Sequence, residues 1–537
     1  MKVGESFKRV EISETYDAII IGSGIGGLGT AALLSKEGKK VLVLEKHYVA
    51  GGFTHVFKRK EYEWDVGVHY VGEVHREHSL LKHVFVYVTN GQLQWAEMDD
   101  VYDRIIFPDK EYDFVKGREN FTAKLKEYFP DESKTIDNYV ETVCKAARTT
   151  SAFYGERTMP KWLSAIFGRL MRRGFLKYSN KTTLQALQEM TSNEKLIGVL
   201  TGQFGDYGLP PAQSSFAMHC VLVKHYMGGS AYPVGGCERI AQTIAPVIEK
   251  AGGKIYVNAG VEKIIVKKNK AIGVKMGNGV EIFAKNIISN AGVLNTYNHL
   301  LNGEVTEKFK LKNQLEKVEP ATSHISLYIG LKHTAEELNL GNTNLWIYPS
   351  YEHDKNVEEF LGNPDAPLPV TYISFPSAKD PDWENRYPGR ATIEILTVAP
   401  YEWFEKWENT KWKKRGKDYE AFKEKLSLRL LEQLYKHKPQ VKGKIDYYEL
   451  STPLSTKHFA NYQKGEIYGL NHDPERFRQK FLRVNTPIKN LFLTGQDIVS
   501  VGVGGALMAG VLTASVILQK NLLGKIRKKA KEIESAR

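Results

Sequence analysis

The sequence predicts an α/β protein in which a discontinuous domain with a parallel sheet carries an inserted α+β domain. Two apolar segments of strand character, 18–21 and 40–44, flank a helical segment at 26–36 near the N-terminus. A third apolar strand, 491–493, lies near the other end of the chain and precedes a glycine-rich apolar segment. Because strands that alternate with helices favour a parallel sheet, the two ends of the chain are expected to build one sheet together.

A glycine motif joins the first strand to the helix. Gly22, Gly24 and Gly27 form the pattern G-x-G-x-x-G, and Glu45 ends the next strand. The first glycine permits a tight turn, the second lets the backbone approach a pyrophosphate, and the third lets helix and strand pack closely. The helix N-terminus offers free N–H groups to phosphates, and the carboxylate accepts hydrogen bonds from a ribose. This order of elements predicts a Rossmann-type dinucleotide-binding domain.

Two further segments are expected to extend the nucleotide site. The pair Gly51 and Gly52 follows Glu45 after a short link and would let the chain turn close to a bound pyrophosphate. Val261 begins a strand that follows the segment Val257-Asn258-Ala259-Gly260, whose backbone is suited to an adenine edge. A simple loop and an ordinary strand are the alternative interpretations.

The other end of the chain carries a second motif of cofactor type. Thr494-Gly495-Gln496-Asp497 ends the strand 491–493, where a carboxylate can bind the ribityl hydroxyls of a flavin. The helix after Gly504 and Gly505 would aim its positive end at the flavin ring and stabilise the reduced anion. The predicted cofactor-binding residues are Gly22, Ser23, Gly24, Gly26, Gly27, Glu45, Lys46, Gly51, Gly52, Val261, Gly495, Asp497, Gly504 and Gly505.

The domain organisation follows changes of composition along the 537 residues. Apolar strand and helix patterns alternate near both ends of the chain and in one central stretch. The other stretches are rich in aromatic and basic residues. We therefore predict a polar lead at 1–15, a nucleotide domain at 16–74, 231–295 and 486–520, a substrate-binding and lid domain at 75–230 and 296–485, and a basic tail at 521–537.

Charge and cysteine content narrow the classes of function. The chain has 75 Lys and Arg against 62 Asp and Glu, a net charge of +13 that suits anionic membranes or acidic substrates. No nucleic-acid motif accompanies that charge, so nucleic acid is not an expected partner. Cys144, Cys220 and Cys237 show neither C-x-x-C nor zinc spacing, which predicts a reducing, cytoplasmic compartment and no metal. The N-terminus has no secretory signal.

Two segments raise the question of membrane association. The uncharged stretch 498–518 contains four glycines and follows a cofactor-type motif, which predicts a buried helix under the cofactor rather than a membrane span. The segment 162–178 reads WLSAIFGRLMRRGFLKY, with apolar residues at helical spacing, four basic residues and no acidic residue. This pattern predicts a basic amphipathic helix and a peripheral membrane protein, with a helix packed on the core as the alternative.

The motifs together resemble a known family. The G-x-G-x-x-G…E pattern, the Gly-Gly pair and the C-terminal T-G-x-D resemble the glutathione-reductase-type FAD-binding fold. The segments 65–72, 205–211, 214–219 and 232–236 are similar to the phytoene desaturase and carotenoid isomerase family, and within it to the retinol saturase branch. The chain departs from that branch by lacking its apolar N-terminal segment. The resemblance runs over nearly the whole chain and implies FAD as cofactor and a lipophilic polyene, isoprenoid or fatty-acyl substrate.

The resemblance implies an oxidoreductase that acts on carbon–carbon double bonds, most simply a reductase. A proton donor is then required, and His69, His219 and Tyr207 are the candidates because they lie in the family-like segments. A desaturase, a cis/trans isomerase and a non-catalytic flavin-containing lipid-binding protein are the alternatives. No second dinucleotide fingerprint is present, so the electron donor or acceptor is expected to be a separate partner.

Overall fold

The largest sheet unites the N-terminal and C-terminal parts of the chain. The computed structural model describes residues 2–8 and 14–537. In spatial order the strands of this sheet are Glu5–Ser6, Lys254–Val257, Val41–Leu44, Tyr16–Ile21, Glu281–Ser289, Lys270–Met276 and Val261–Lys267, with Leu491–Leu493 paired to Glu281–Ser289. The strands from Glu5–Ser6 to Glu281–Ser289 run parallel, and the last two are antiparallel. This confirms the predicted Rossmann-type α/β fold.

The strand Tyr16–Ile21 is apolar from Ala18 to its end, as expected of a strand that is covered on both faces of the sheet. Ala18 and Ile20 enter the core on one face, whereas Ile19 and Ile21 enter the core on the other. The strands Lys270–Met276 and Glu281–Ser289 form a hairpin, and the second strand continues without a break into the parallel part of the sheet.

The inserted domain is built on a second sheet. In spatial order its strands are Ile445–Ser451, His324–Leu331, Ala391–Val398, Thr371–Ser374, Asn344–Ile347, Val101–Ile106 and Glu111–Val115. Two smaller antiparallel sheets link the domains, one of Val71–Gly72, Ser230–Pro233 and Trp95–Glu97, the other of Val56–Arg59 and Tyr62–Asp65. A single apolar core joins the second sheet to the helices between residues 118 and 226.

Helices cover the sheets. Those of the nucleotide region are Ile25–Ser35, Leu80–Val88, Glu238–Lys250, Val293–Asn295, Gly502–Leu518 and Leu523–Ser535. Those of the inserted region are Arg118–Tyr128, Ser133–Arg148, Thr150–Glu156, Lys161–Ser179, Thr183–Gln188, Glu194–Leu200, Phe216–Tyr226, Gly303–Lys308, Leu311–Leu315, His353–Gly362, Pro376–Lys379, Trp383–Arg386, Lys417–His437, Pro453–Ala460 and Pro474–Arg478.

Glycines let the first and last core helices meet at backbone distance. A Cβ on Gly510, in the helix Gly502–Leu518, would lie 3.0 Å from both the Gly26 carbonyl oxygen and the Thr30 nitrogen. A Cβ on Gly29 would lie 2.5 Å from Leu507. The predicted buried helix at 498–518 therefore packs directly on the glycine-motif helix, beginning at Gly502.

Three predicted boundaries differ from the structure. The lead 1–15 is not wholly irregular, since Glu5–Ser6 pairs with Tyr256 and Val257. The helix Leu80–Val88 packs in the core of the nucleotide domain, so the boundary at 75 falls too early. The tail 521–537 forms the helix Leu523–Ser535, which docks on Leu80–Val88 through buried apolar residues and the Lys82–Glu534 ion pair of 2.8 Å. The buried positions of this helix could not be recognised in the sequence because lysines surround them.

Over residues 2–8 and 14–537, no individual helix combines the length and the apolar character of a membrane span. The pair Gly502–Leu518 and Leu523–Ser535, bent by 117°, would qualify on length and composition together.

The helix contact gives a stability prediction. Gly510→Ala should lower the free energy of unfolding by about 1–3 kcal/mol, because the added methyl group overpacks a rigid backbone contact. Gly524→Ala is the matched control, since Gly524 is exposed at the start of a helix and a Cβ there meets nothing within 4 Å. The control should be neutral or stabilising by up to about 1 kcal/mol. Denaturant titration of both variants measures the difference, and equal effects would contradict the packing argument.

Candidate functional site

One cavity of about 870 Å³ extends from the glycine motif to the second sheet. Its lining includes residues from both ends of the chain and from the inserted domain. Gly24 and Glu45 line it near the N-terminal motif, Gly495 and Asp497 line it from the C-terminal motif, and residues of the second sheet such as Tyr372 complete the wall. The cavity therefore joins the predicted cofactor site to the predicted substrate domain.

The glycine motif adopts the conformation that its sequence predicts. Gly22 has a φ of +94°, and a Cβ on Gly27 would overlap the carbonyl oxygen of Gly22. Gly24 begins the helix Ile25–Ser35 without a side-chain cap, so N–H groups at this end have no side-chain partner. A Cβ on Gly52 would come within 2.7 Å of the Gly24 Cα, which confirms a close approach of the two loops. The backbone here is open to an anionic ligand such as a pyrophosphate.

Glu45 is held at the end of its strand by a short network. Ser23 donates to the Glu45 carboxylate from its backbone nitrogen at 2.8 Å and from its hydroxyl at 2.7 Å. The His47 nitrogen donates to the other carboxylate oxygen at 2.7 Å, and the Gly51 nitrogen donates to the Ser23 hydroxyl at 3.0 Å. Ser23 and Gly51 thus orient the carboxylate rather than face the cavity themselves.

The C-terminal motif closes against the N-terminal one. A Cβ on Gly26 would lie 2.7 Å from the Gly495 Cα, so only glycine fits. The side chain of Asn290 lies between them, because a Cβ on Gly26 would be 2.9 Å from its Oδ1 atom and a Cβ on Gly24 would be 2.9 Å from its Nδ2 atom. Asp497 is buried and accepts the backbone N–H groups of Val293 at 2.8 Å and Leu470 at 3.1 Å.

These features fit an FAD molecule. The glycine cradle suits the pyrophosphate, the Glu45 carboxylate suits the adenosine ribose, and the Asp497 carboxylate suits the ribityl chain. The N-terminus of the helix Gly502–Leu518 has no side-chain cap and borders the same cavity through Gly504 and Gly505. Of the predicted cofactor-binding residues, the following line the cavity: Gly22, Gly24, Gly26, Glu45, Lys46, Gly52, Val261, Gly495, Asp497, Gly504 and Gly505.

The other three, Ser23, Gly27 and Gly51, do not line the cavity. They shape the loops that do. Asn290 was not among the predicted site residues, although the segment Asn290-Ala291-Gly292 after the apolar residues Ile287 and Ile288 was the available signal. Its amide is wedged among the glycines of both motifs.

His69 faces the cavity and lies in a network of buried carboxyl groups. Its Nδ1 atom is 2.8 Å from a Glu394 oxygen, a distance that requires a proton on one of the two, although the contact lacks hydrogen-bond alignment. The other Glu394 oxygen accepts the Asp65 nitrogen at 2.7 Å. Burial raises the pKa of Glu394 to about 8 and lowers the pKa of His69 to about 3, so at neutral pH the proton belongs to the carboxyl group.

The predictions for His219 and Tyr207 need correction. His219 is buried and bonds to the hydroxyl of Tyr139 at 2.8 Å and that of Tyr207 at 3.3 Å. Neither His219 nor Tyr207 lines the cavity, although Met218 and Asp206 beside them do. Burial lowers the pKa of His219 to about 3, and the pair forms a neutral polar contact inside the core. The helix Phe216–Tyr226 turns its other face towards the cavity.

Four large apolar side chains of the amphipathic helix Lys161–Ser179 lie on the outside. Trp162 is 65% exposed and Leu170 is 73% exposed, and Ile166 and Phe167 are also exposed. Small residues such as Ser164 and Gly168 face the protein instead, together with Phe175 near the end of the helix. The preceding helix, Thr150–Glu156, contributes to the cavity wall. The alternative of a helix with its apolar face in the core therefore does not hold for the four exposed side chains.

Comparisons with known proteins show the family to which the chain belongs. The family model for flavin-containing amine oxidoreductases matches residues 25–518. The chain is 38% identical to the all-trans-retinol 13,14-reductase of Danio rerio, covering 96% of this chain and 88% of that protein. The corresponding Homo sapiens protein is 36% identical over 97% of this chain and 89% of its own length. The prolycopene isomerase of Arabidopsis thaliana is 27% identical, over 94% and 84%.

Solved structures agree with the fold. A Methanosarcina mazei oxidoreductase superposes with a TM-score of 0.62 at 18% identity, over 94% of this chain and 100% of that one. A putrescine oxidase variant superposes with a TM-score of 0.62 at 14% identity, over 94% and 99%.

The Glu45 network gives a binding prediction. Glu45→Gln keeps the hydrogen-bond acceptor for Ser23 but removes the charge, and should weaken FAD binding about 10- to 100-fold, consistent with about 1.5–3 kcal/mol for a hydrogen bond to a charged group. Fluorescence titration of the apoprotein with FAD measures this. The control is Glu77→Gln, which changes an exposed carboxylate outside the cavity and should leave the affinity unchanged. Equal affinities in the two variants would contradict the assignment.

Proposed function

Because the chain belongs to the flavin-containing amine oxidoreductase family, it is an FAD-dependent oxidoreductase, and we propose that it saturates a carbon–carbon double bond of a lipophilic polyene. The observation that carries the proposal is the 36–38% identity to all-trans-retinol 13,14-reductases over nearly the full length of the chain. The aromatic cavity that continues from the cofactor site supports the same substrate class.

The chain's own residues would bind and orient both molecules. Bound FAD supplies hydride chemistry at carbon, which a double-bond reduction requires together with a proton. The glycine cradle and the carboxylates of Glu45 and Asp497 would fix the cofactor along the first part of the cavity. Beyond it, the rings of Tyr70, Trp346 and Tyr372 would form apolar walls that exclude water from a polyene chain.

The His69–Glu394 pair would serve as a neutral polar contact within this wall. His69 lies beside Tyr372, with ring centroids 5.2 Å apart, and Glu394 is fully buried behind it. Since burial keeps His69 unprotonated, its role is to orient the substrate rather than to supply a proton as an imidazolium.

Mass spectrometry separates this function from its alternatives. The protein, reduced with dithionite under anaerobic conditions, is incubated with all-trans-retinol and with longer polyenes, so that no donor protein is required. A product heavier by two hydrogens is expected. A product lighter by two hydrogens from the oxidised enzyme would identify a desaturase. Unchanged mass with a shifted absorption spectrum would identify an isomerase, the alternative that the prolycopene isomerase relatives favour. A flavin that exchanges electrons with no polyene would indicate a lipid-binding protein without turnover.

We also propose that the helix Lys161–Ser179 rests on an anionic membrane surface, from which the substrate enters. Four of the large apolar side chains that are exposed on the described part of the chain lie on this helix. Arg169, Arg173 and Lys177 lie exposed beside them and would contact anionic headgroups. The three cysteines are unpaired and buried, which suits a membrane face in a reducing compartment such as the cytoplasm.

Vesicle co-sedimentation tests the membrane contact. The double variant Trp162→Ser, Leu170→Ser should bind vesicles of phosphatidylcholine and phosphatidylglycerol at least about tenfold more weakly, because two large apolar contacts are lost. Phe283→Ser, which removes an exposed apolar side chain from the distant strand Glu281–Ser289, is the control and should bind like the unmodified protein. Wild-type protein that does not sediment with these vesicles, or a double variant that binds equally well, would contradict the proposal.

A further inference from the structure

Two carboxyl groups share one hydroxyl group at the substrate end of the cavity. The Tyr70 hydroxyl lies 3.0 Å from an oxygen of Asp103 and 3.0 Å from an oxygen of Asp206. A hydroxyl carries a single proton and can donate to only one of them. The second contact therefore needs a proton of its own, and one of the two carboxyl groups must be protonated.

The surrounding donors show which carboxyl group is the anion. Asp103 also accepts a hydrogen bond from the Gln203 amide at 2.6 Å and from the Asn344 amide at 2.9 Å. The Lys379 ammonium donates to the Asn344 oxygen, which fixes the amide so that its nitrogen faces Asp103. Three donors thus converge on Asp103, which is fully buried. Burial raises the pKa of Asp103, but these hydrogen bonds oppose the rise and favour its carboxylate form over that of Asp206, whose pKa is raised well above the ordinary value.

Asp206 is the partner that keeps the proton. Its side chain contacts Tyr70 in this cluster and borders the cavity, whereas Asp103 does not. Burial and the neighbouring Asp103 charge raise the pKa of Asp206 well above its ordinary value. The arrangement is a chain of hydrogen bonds in which the Asp206 carboxylic acid donates to Tyr70 and Tyr70 donates to Asp103.

We propose that Asp206 is the proton donor for double-bond saturation, and that Tyr70, Asp103 and Asn344 are positioning residues that keep it protonated. The proposal rests on the function proposed above. Bound reduced FAD would supply a hydride to one alkene carbon and would be oxidised by two electrons. The π electron pair would form a C–H bond at the other carbon with the Asp206 proton. The O–H bond of Asp206 would break, a carboxylate would remain, and a proton from solvent would restore the acid after the product leaves.

The other titratable groups in this wall are poorer acids. His69 is unprotonated at neutral pH for the reason given above, and Glu394, which holds a proton beside it, does not line the cavity. Burial raises the pKa values of Tyr70, Tyr226 and Tyr372 well above the ordinary value of a phenol. A neutral carboxylic acid is the strongest proton donor that these cavity-lining residues offer.

Infrared spectroscopy tests the protonation state without any turnover. The spectrum of the FAD-loaded protein at neutral pH should contain a carbonyl band from a protonated carboxyl group that is absent in Asp206→Asn. Tyr70→Phe should keep that band but shift it, because the acid loses its hydroxyl partner. Tyr62→Phe is the matched control, since Tyr62 donates to Asp446 at 3.1 Å outside the cavity, and it should leave the band in place. A spectrum of Asp206→Asn that keeps every carbonyl band of the unmodified protein would overturn the proposal.

Turnover tests the role in the reaction. Asp206→Asn should reduce the polyene at least about 100-fold more slowly, the lower range for general acid catalysis, while binding FAD like the unmodified protein. Tyr70→Phe should be slowed less, and Tyr62→Phe not at all. If Asp206→Asn is not stable enough to bind FAD, the Tyr70→Phe band shift and rate decide the question. Reduction by Asp206→Asn at the unmodified rate would overturn the inference alone, whereas a wild-type protein that reduces no polyene would overturn the proposed function as well.

Discussion

The structure depends on a backbone contact between the two ends of the chain. Gly26, in the first helix, and Gly495, after the last strand, approach so closely that neither tolerates a side chain, and Asn290 fills the space beside them. This contact brings the Glu45 and Asp497 carboxylates to one cavity although more than four hundred residues separate them in sequence. The inserted domain is then held over that cavity by the small sheets that both domains share. Cofactor binding and substrate access therefore depend on the same junction.

Burial determines the charge states along the cavity. Near the predicted cofactor site, backbone N–H groups hold Asp497, and two helix N-termini without side-chain caps border the cavity. At the substrate end, histidines lose their protons and carboxyl groups gain them, as the lowered pKa of His69 and the raised pKa values of Glu394 and Asp206 indicate. Such a wall is neutral and apolar enough for a polyene, yet it keeps an acidic proton available. If the proposed membrane contact holds, the exposed apolar side chains of the helix Lys161–Ser179 would give the substrate a route from a lipid surface.

Much of the fold and the cofactor site could be predicted from local sequence. The glycine motif, Glu45 and Asp497 are recognisable because each role depends on a short pattern whose spacing the backbone geometry fixes. The proposed proton donor could not be predicted in the same way. His219 and Asp206 lie in neighbouring family-like segments, and only the direction in which a helix and a turn point their side chains separates a core histidine from a cavity acid. Glu394 and Lys379 come from a distant segment and reach the site through the second sheet, which no local pattern reveals.

A crystal structure of the protein with FAD and a polyene bound tests the central claim most directly. We expect one flavin to span from Glu45 to the helix Gly502–Leu518. The polyene should lie between the flavin ring and Asp206, with the carboxyl oxygen of Asp206 in contact with an alkene carbon. A flavin bound by only one end of the chain, or a polyene separated from Asp206 by protein atoms, would contradict it.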